Sequence, residues 1–209
     1  MQVTGLQRGD LLFQLRTGGE LEWIISRIFA GHNGMALNHV AIYSGSDELI
    51  EAIMPEVRRT PVREFASRSV ADGVGHPCLI QARLLPEYSH LIPAALSFSE
   101  QQLEQPYDSA YGSHQESWYC SKLIVDAFRY ANNGDFLFPE TSMGFRDMET
   151  GELFTYWVDH YRKLDKPVPE GMPGSHPALL SCSPLLEITR VFGQLPARRY
   201  HLAPDIQVV

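Results

Sequence analysis

The side chains best suited to nucleophilic chemistry in this sequence are its three cysteines, Cys78, Cys120 and Cys182. Only Cys120 stands where a thiol is readily activated. The stretch Trp118-Tyr119-Cys120-Ser121-Lys122-Leu123-Ile124-Val125-Asp126-Ala127-Phe128 reads as the start of an amphipathic helix with the cysteine in its first turn. Leu123, Ile124, Ala127, Phe128 and Ala131 recur at helical spacing and face a core. A thiol in a first turn sits beside unpaired backbone N–H groups and the positive end of the helix dipole, which favour thiolate. The alternative for any single cysteine is a buried structural role.

A cysteine nucleophile needs a base. His39, in the β-rich run Asn38-His39-Val40-Ala41-Ile42-Tyr43, is the best placed, because Glu51 follows in Glu48-Leu49-Ile50-Glu51-Ala52-Ile53. Ser44-Gly45-Ser46-Asp47 reads as the turn between two antiparallel strands. Pairing Tyr43 with Asp47 around a three-residue loop places His39 opposite Glu51 on one face, whereas a two-residue loop separates them. A carboxylate bonded to one imidazole nitrogen fixes the tautomer and frees the other nitrogen for the thiol proton.

The remaining candidates point elsewhere. Cys78 lies in the apolar run Cys78-Leu79-Ile80, and Cys182 lies in the loop Ser181-Cys182-Ser183-Pro184. The histidines 32, 76, 90, 114, 160, 176 and 201 show no metal-ligand spacing, and HExxH is absent. His114 and His176 are the two to examine as cleft-lining groups. Gly18-Gly19 is not followed by a lysine at phosphate-loop spacing. Trp23, Trp118 and Trp157 are expected in the core or a cleft wall. No metal or cofactor is called for.

These residues need elements to position them. A strand entered through Gly9-Asp10 covers Leu11 to Leu15, and a helix covers 20–29, with Leu21, Ile24, Ile25, Ile28 and Phe29 on one face. After the His39 and Glu51 strands come an extended segment 56–62, a short helix 62–69 and a strand 78–84. A helix over 90–104 ends at Pro106, and a polar loop leads to the Cys120 helix, which Asn132-Asn133-Gly134 closes. A helix within 148–164 should point Leu153, Trp157 and Tyr161 inward. The Pro/Gly-rich stretch 166–174 is an extended loop, and 188–192 reads as a last strand.

The chain of 209 residues is 44% hydrophobic and 20% charged, which marks a globular domain with a full core. A net charge of −8 and basic pairs no longer than Arg58-Arg59 or Arg198-Arg199 argue against a nucleic-acid partner. No run approaches the ~18 apolar residues of a membrane span, so no transmembrane segment is expected. Residues 1–10 lack the basic and apolar regions of a secretory signal. The expected location is the cytoplasm, or a target periplasm reached through a specialised secretion system.

Taken in order, Gly9-Asp10-Leu11-Leu12-Phe13, Asn38-His39-Val40-Ala41-Ile42-Tyr43, Ile50-Glu51-Ala52, Pro106-Tyr107-Asp108 and Tyr119-Cys120-Ser121-Lys122-Leu123 resemble the permuted papain-like hydrolases of the NlpC cell-wall peptidase superfamily, in the YiiX/YebB-like branch. Unpermuted relatives place the cysteine helix first; here it follows the histidine strand. The motifs span residues 9–128. The segment 173–192 is weakly similar to the C-terminal part of the YebB-like proteins.

The resemblance implies an α+β, circularly permuted papain-like fold, with an antiparallel sheet packed against the nucleophile helix. It implies one hydrolase domain over 1–209, in which 135–209 is a loosely matched C-terminal extension. Cys120 is then the nucleophile, His39 the general base and Glu51 the orienting group. Tyr107 matches a tyrosine beside the nucleophile that helps hold substrate or the oxyanion. Lys122 stands where unpermuted peptidases usually have glycine. The implied activity is a cysteine amidase or endopeptidase acting through a thioester on peptidoglycan stem peptides, as an antibacterial effector with an immunity protein or in cell-wall recycling. The alternatives are a lipid amidase, esterase or acyltransferase, marked by a deep apolar pocket near Cys120, and a degenerate binding module.

Overall fold

The computed structural model describes residues 3–112 and 116–195. His114, His201 and the Arg198-Arg199 pair lie outside the described residues. Six strands form one antiparallel sheet in the order β4-β3-β2-β1-β5-β8: β1 (Leu11–Gln14), β2 (His39–Gly45), β3 (Glu48–Ile53), β4 (Glu56–Pro61), β5 (Leu79–Leu84) and β8 (Leu186–Phe192). Thr141–Ser142 (β6) and Pro173–Gly174 (β7) pair separately. The helices are α1 (Glu20–Ile28), α2 (Val62–Ser67), α3 (Ile92–Gln101), α4 (Cys120–Ala131), α5 (Thr155–Lys163) and α6 (Pro177–Leu180).

Side-chain alternation divides the sheet into two buried faces. Leu11, Phe13, Val40, Ile42, Ile50, Ala52 and Ile80 pack under α4, whose Leu123, Ile124, Ala127 and Phe128 fill the main core together with Ala95 and Leu96 of α3. Leu12, Ala41, Leu49 and Leu79 face the other way, against Val62 and Phe65 of α2. Glu51 and Thr60 share this second face, since β3 pairs Leu49 with Thr60. The Cys120 helix and the Glu51 carboxylate thus lie on opposite sides of the sheet, and His39, the first residue of β2, stands at its end.

The Gly9-Asp10 pair opens β1 for structural reasons. Gly9 has φ +89°, and a Cβ there would meet Ile92 at 2.5 Å. The buried Asp10 carboxylate accepts hydrogen bonds from Gln7 N at 2.7 Å, Gln81 Nε2 at 2.7 Å and Arg83 Nε at 2.7 Å, which ties the entry of β1 to β5.

The helix expected over 90–104 is shorter than its apolar spacing suggests, and the one expected within 148–164 occupies 155–163. The segment 86–91 is a 3-10 turn, and α3 starts only at Ile92. Asp147 keeps 148–154 out of α5: its Oδ1 accepts from Glu149 N at 2.7 Å and Thr150 N at 3.4 Å, and Gly151 takes φ +75°. The segment after 135 completes the sheet through β8 and covers α1. Trp157 and Tyr161 pack with Trp23, Ile24, Ile28, Phe145 and Phe154. Arg27 of α1 is buried and paired with Asp147 and Glu149 at 2.9 Å each.

Because α4 holds Cys120 through its apolar face, a cavity under it is costly. Leu123 is fully buried. Leu123→Ala is expected to destabilise the fold by about 2–5 kcal/mol. In a chain of this length that corresponds to a melting temperature lower by roughly 5–15 °C in a thermal scan.

Candidate active site

The entry to α4 is set by a short parallel bridge between Tyr107 and Trp118. Asp108 N donates to Trp118 O at 3.1 Å, and Trp118 N donates to Pro106 O at 3.2 Å. This pairing lays Pro106-Tyr107-Asp108 alongside the residues that lead into Cys120. Tyr119, in extended conformation, is the N-cap, and no side chain caps the helix. The first-turn N–H groups are therefore not consumed by a capping oxygen. Cys120 is 7% exposed at the floor of a small open cavity of about 60 Å³.

Cys120, His39 and Tyr107 all line that cavity. Its walls are Arg16, Leu21, Glu22, Ile25 and Asn38 on one side, and Ala52, Ile53 and the exposed Met54 on the other. Asn38 staples the first wall in place. Its Oδ1 accepts from Arg16 N at 2.7 Å, and its Nδ2 donates to Glu22 O at 2.9 Å and Arg16 O at 3.0 Å. Arg16 and Glu22 form an ion pair at the rim.

The geometry around His39 is tight. Its Nε2 lies 2.6 Å from Glu51 Oε2. Burial alone would raise the Glu51 carboxyl, but the hydrogen bond and charge of His39, the charge of Arg68 and the Thr60 hydroxyl outweigh it and hold the pKa at about 2 instead of 4.5. An ionised Glu51 can only accept, so His39 Nε2–H donates to it, and Nδ1 is left to meet the Cys120 sulfur. Burial also opposes charge on His39. Hydrogen bonds to Cys120 and Glu51 and their negative charge prevail, and raise the imidazole pKa above its usual value.

The register that brings His39 to Glu51 differs from the expected one. Ile42 pairs with Ile50 and Tyr43 with Leu49, and an irregularity before Gly45 absorbs the odd residue of the turn. Continued along the strands, this register sets His39 opposite Ile53 and Glu51 opposite Ala41. The shift is two residues, so side-chain parity is kept, and the two groups meet on a diagonal rather than directly.

Tyr107 and Tyr111 form a hydroxyl pair beside the thiol. Their oxygens are 3.4 Å apart and their rings meet edge-on. Burial first, and then the charge of Cys120, raises the Tyr107 pKa, and burial together with Tyr107 raises that of Tyr111 well above the usual value. Both hydroxyls stay protonated and can donate. Helix α5 fixes the loop that carries them: His160 Nε2 donates to Ser109 O at 2.7 Å, and the Tyr161 hydroxyl donates to Ala110 O at 2.9 Å. The segment after 135 therefore shapes the site without entering the cavity.

Other sequence candidates lie outside the cleft. Lys122 folds back onto the protein, with Nζ 3.0 Å from Ser117 O, 3.1 Å from Asp126 and 5.0 Å from the Trp118 ring centre. His176 caps α6. Its Nδ1 accepts from Ala178 N at 3.1 Å, its Nε2 donates to Ile25 O at 3.1 Å, and burial lowers its pKa to about 4. With Cys182 it lines an apolar cavity of about 220 Å³ that includes neither Cys120 nor His39. Cys78 is core. A wider cavity of about 570 Å³ lies against α2 and contains none of these groups. Among the described residues no cluster of three or more His, Cys, Asp or Glu side chains is arranged to hold a metal ion.

Sequence reasoning missed the residues that hold Glu51. Thr60 Oγ1 donates to Glu51 Oε1 at 2.6 Å, and Arg68 Nη2 donates to the same oxygen at 2.5 Å. It also missed Tyr111 and the walls formed by α1 and the β3–β4 turn.

No curated protein sequence matches the chain. The fold is similar to the crystal structure of the metalloprotein YiiX from Escherichia coli O157:H7, with a TM-score of 0.68 and 16% identity, over 91% of this chain and 98% of that one. The sequence model for permuted papain-like amidase enzymes, the YaeF/YiiX, C92 family, matches residues 5–187. The chain therefore belongs to this family of permuted papain-like cysteine amidases and peptidases.

Proposed function

We propose that the protein hydrolyses amide bonds in peptidoglycan stem peptides, with Cys120 as nucleophile, His39 as base and acid, and Glu51 as the group that orients and charges the imidazole. The observation that supports this most is the His39 ring, bound to Glu51 through Nε2 at 2.6 Å and lining the same open cavity as Cys120. The Cys120 thiolate adds to the carbonyl carbon, forming a C–S bond and an oxyanion. First-turn N–H groups of α4 and the Tyr107 hydroxyl are the available donors to that oxyanion. As the C–N bond breaks, the His39 imidazolium protonates the departing amine, leaving a thioester. His39 then takes a proton from water as its oxygen attacks, and the C–S bond breaks to restore the thiol.

The substrate class rests on the resemblance to NlpC-type cell-wall peptidases and on the shape of the cleft. A cavity of about 60 Å³ is far below the roughly 300 Å³ at which pockets begin to enclose drug-sized ligands. It suits an extended peptide lying across Cys120 better than an acyl chain buried lengthwise. On this reading the enzyme works in a periplasm reached through a specialised secretion system, and the producing cell carries an immunity protein. Cytoplasmic recycling of cell-wall peptides is the other setting in which the same bond is met. Growth arrest on periplasmic targeting, but not on cytoplasmic expression, separates the two.

Digestion of purified muropeptides and of N-acyl lipids, read by mass spectrometry, tests the reading. The expected result is two fragments from the muropeptide whose masses sum to substrate plus one water, absent with Cys120→Ala. Cleavage of acyl lipids alone would transfer the site to a lipid amidase. Fragments that persist with Cys120→Ala would end the thiol mechanism.

A further inference from the structure

The two oxygens of Glu51 have different partners. Oε2 serves His39, while Oε1 collects Thr60 Oγ1 at 2.6 Å and Arg68 Nη2 at 2.5 Å, with Arg58 Nε at 3.7 Å. A fully buried carboxylate bound to imidazole alone would grip the imidazolium proton hard, and so make His39 a poor acid toward the leaving amine. A cation on the far oxygen draws on the same negative charge. Arg68 is built into that position. Its carbonyl accepts from Thr17 N at 2.7 Å and Thr17 Oγ1 at 2.9 Å. Its guanidinium lies 5.7 Å from the centre of the Phe65 ring, which also meets the His39 ring at 5.8 Å.

We propose that Arg68 is a positioning residue that sets the proton affinity of His39 through Glu51, with Thr60 holding the carboxylate plane so that Oε2 points at the imidazole. This rests on the Cys120–His39–Glu51 reading of the site. Arg68 follows α2 on the sheet face opposite the nucleophile helix and does not line the cleft, so it acts only through Glu51. The other charged or titratable groups around the pair are Cys120 from α4, Arg16, Glu22 and Tyr107 from the cleft, and Arg58 from β4 with its partner Glu64 on α2. None of them replaces the Arg68 contact on Oε1.

The test is the titration of the His39 ring followed by NMR in the full-length protein, with the resonance assigned by its loss in His39→Gln. Arg68→Gln should raise the His39 pKa by about one pH unit, because the unopposed carboxylate holds the proton more tightly. The alkaline limb of kcat/KM should move up with it. Arg68→Lys keeps the charge and should titrate like the wild type. Thr60→Val, which removes a neutral donor, should shift His39 upward by less. Glu51→Gln should shift it down, since Cys120 alone then opposes burial.

If Arg68→Gln melts early but leaves the His39 titration in place, Arg68 is merely structural and the proposal falls. If Arg68→Gln does not fold, Thr60→Val decides: an unchanged titration there also overturns it. Insensitivity of His39 to Glu51→Gln would instead overturn the triad reading beneath it.

Discussion

Cys120→Ala is expected to lower turnover of an amide substrate by about 10⁴-fold or more, and His39→Ala by a comparable factor, with the double variant little worse than either single one. In the proposed mechanism the two groups act as one unit, because the thiol needs the imidazole to lose its proton and the imidazole has no proton to deliver without the thiol. Removing one member therefore removes most of what both supply, and the free-energy losses do not add. What remains comes from the first-turn N–H groups of α4 and the walls of the cleft, which Cys120→Ala leaves standing. The fold should change little, since Cys120 lies at the edge of the main core, where it lines a small open cavity, and the change removes one sulfur atom. Steady-state kinetics on the three variants, with thermal melts as the control, are the measurement. Strictly multiplicative losses would show that Cys120 and His39 do not share a proton, and turnover retained in His39→Ala would assign the base elsewhere.

The pieces legible in the sequence were those carried by local pattern. The apolar spacing of Leu123, Ile124, Ala127 and Phe128 defined α4, and the β-rich runs around His39 and Glu51 defined β2 and β3. Their meeting was legible too, but for a reason more general than the loop length used to argue it. Side-chain parity survives a two-residue shift, so His39 and Glu51 share a face in both registers, and the flexible glutamate reaches across the diagonal. The supports of Glu51 were not legible. Thr60 reaches it only through the β3–β4 register, which depends on where the chain turns at Met54-Pro55. Arg68 reaches it only because α2 packs Phe65 against the sheet. Tyr111 was hidden for a similar reason: helix α5, some fifty residues later, holds its loop against Tyr107. The helix expected within 148–164 occupies only its second part, because a single aspartate competing for backbone N–H groups outweighs helical periodicity over 148–154.

Glu51→Ala should be the most damaging substitution to the fold and should disable the chemistry at the same time. Its carboxylate is fully buried and satisfies three donors, on His39, Thr60 and Arg68. Removing it leaves a guanidinium facing a cavity with no anion and an imidazole without its hydrogen-bond acceptor. Breaking a buried pair in this way costs about 3–5 kcal/mol. Glu51→Gln fills the space but keeps the charge defect, so it should recover packing while the imidazolium stays unsupported. Turnover should then fall by about 10²–10⁴-fold, because His39 can still approach Cys120 but no longer holds the proton it must deliver.

The pH dependence of stability follows from the same group. The Glu51 pKa is lowered from 4.5 to about 2, so its contribution is complete above pH 4.5 and disappears as the pH falls toward 2. That contribution is on the order of 3 kcal/mol, at ~1.4 kcal/mol per pH unit. His39 has the opposite sign: its raised pKa adds stability below 6.5, and that stability is lost as the pH climbs through the folded value. The wild type should therefore lose denaturant resistance on both sides of a plateau, in acid through Glu51 and in alkali through His39. In Glu51→Gln the acid loss between pH 4.5 and 2 should flatten. The alkaline loss should shrink as well, because the imidazole then gains only Cys120 as a partner on folding. An acid limb unchanged in Glu51→Gln would mean that other carboxylates govern acid unfolding and that Glu51 is not held ionised by its neighbours.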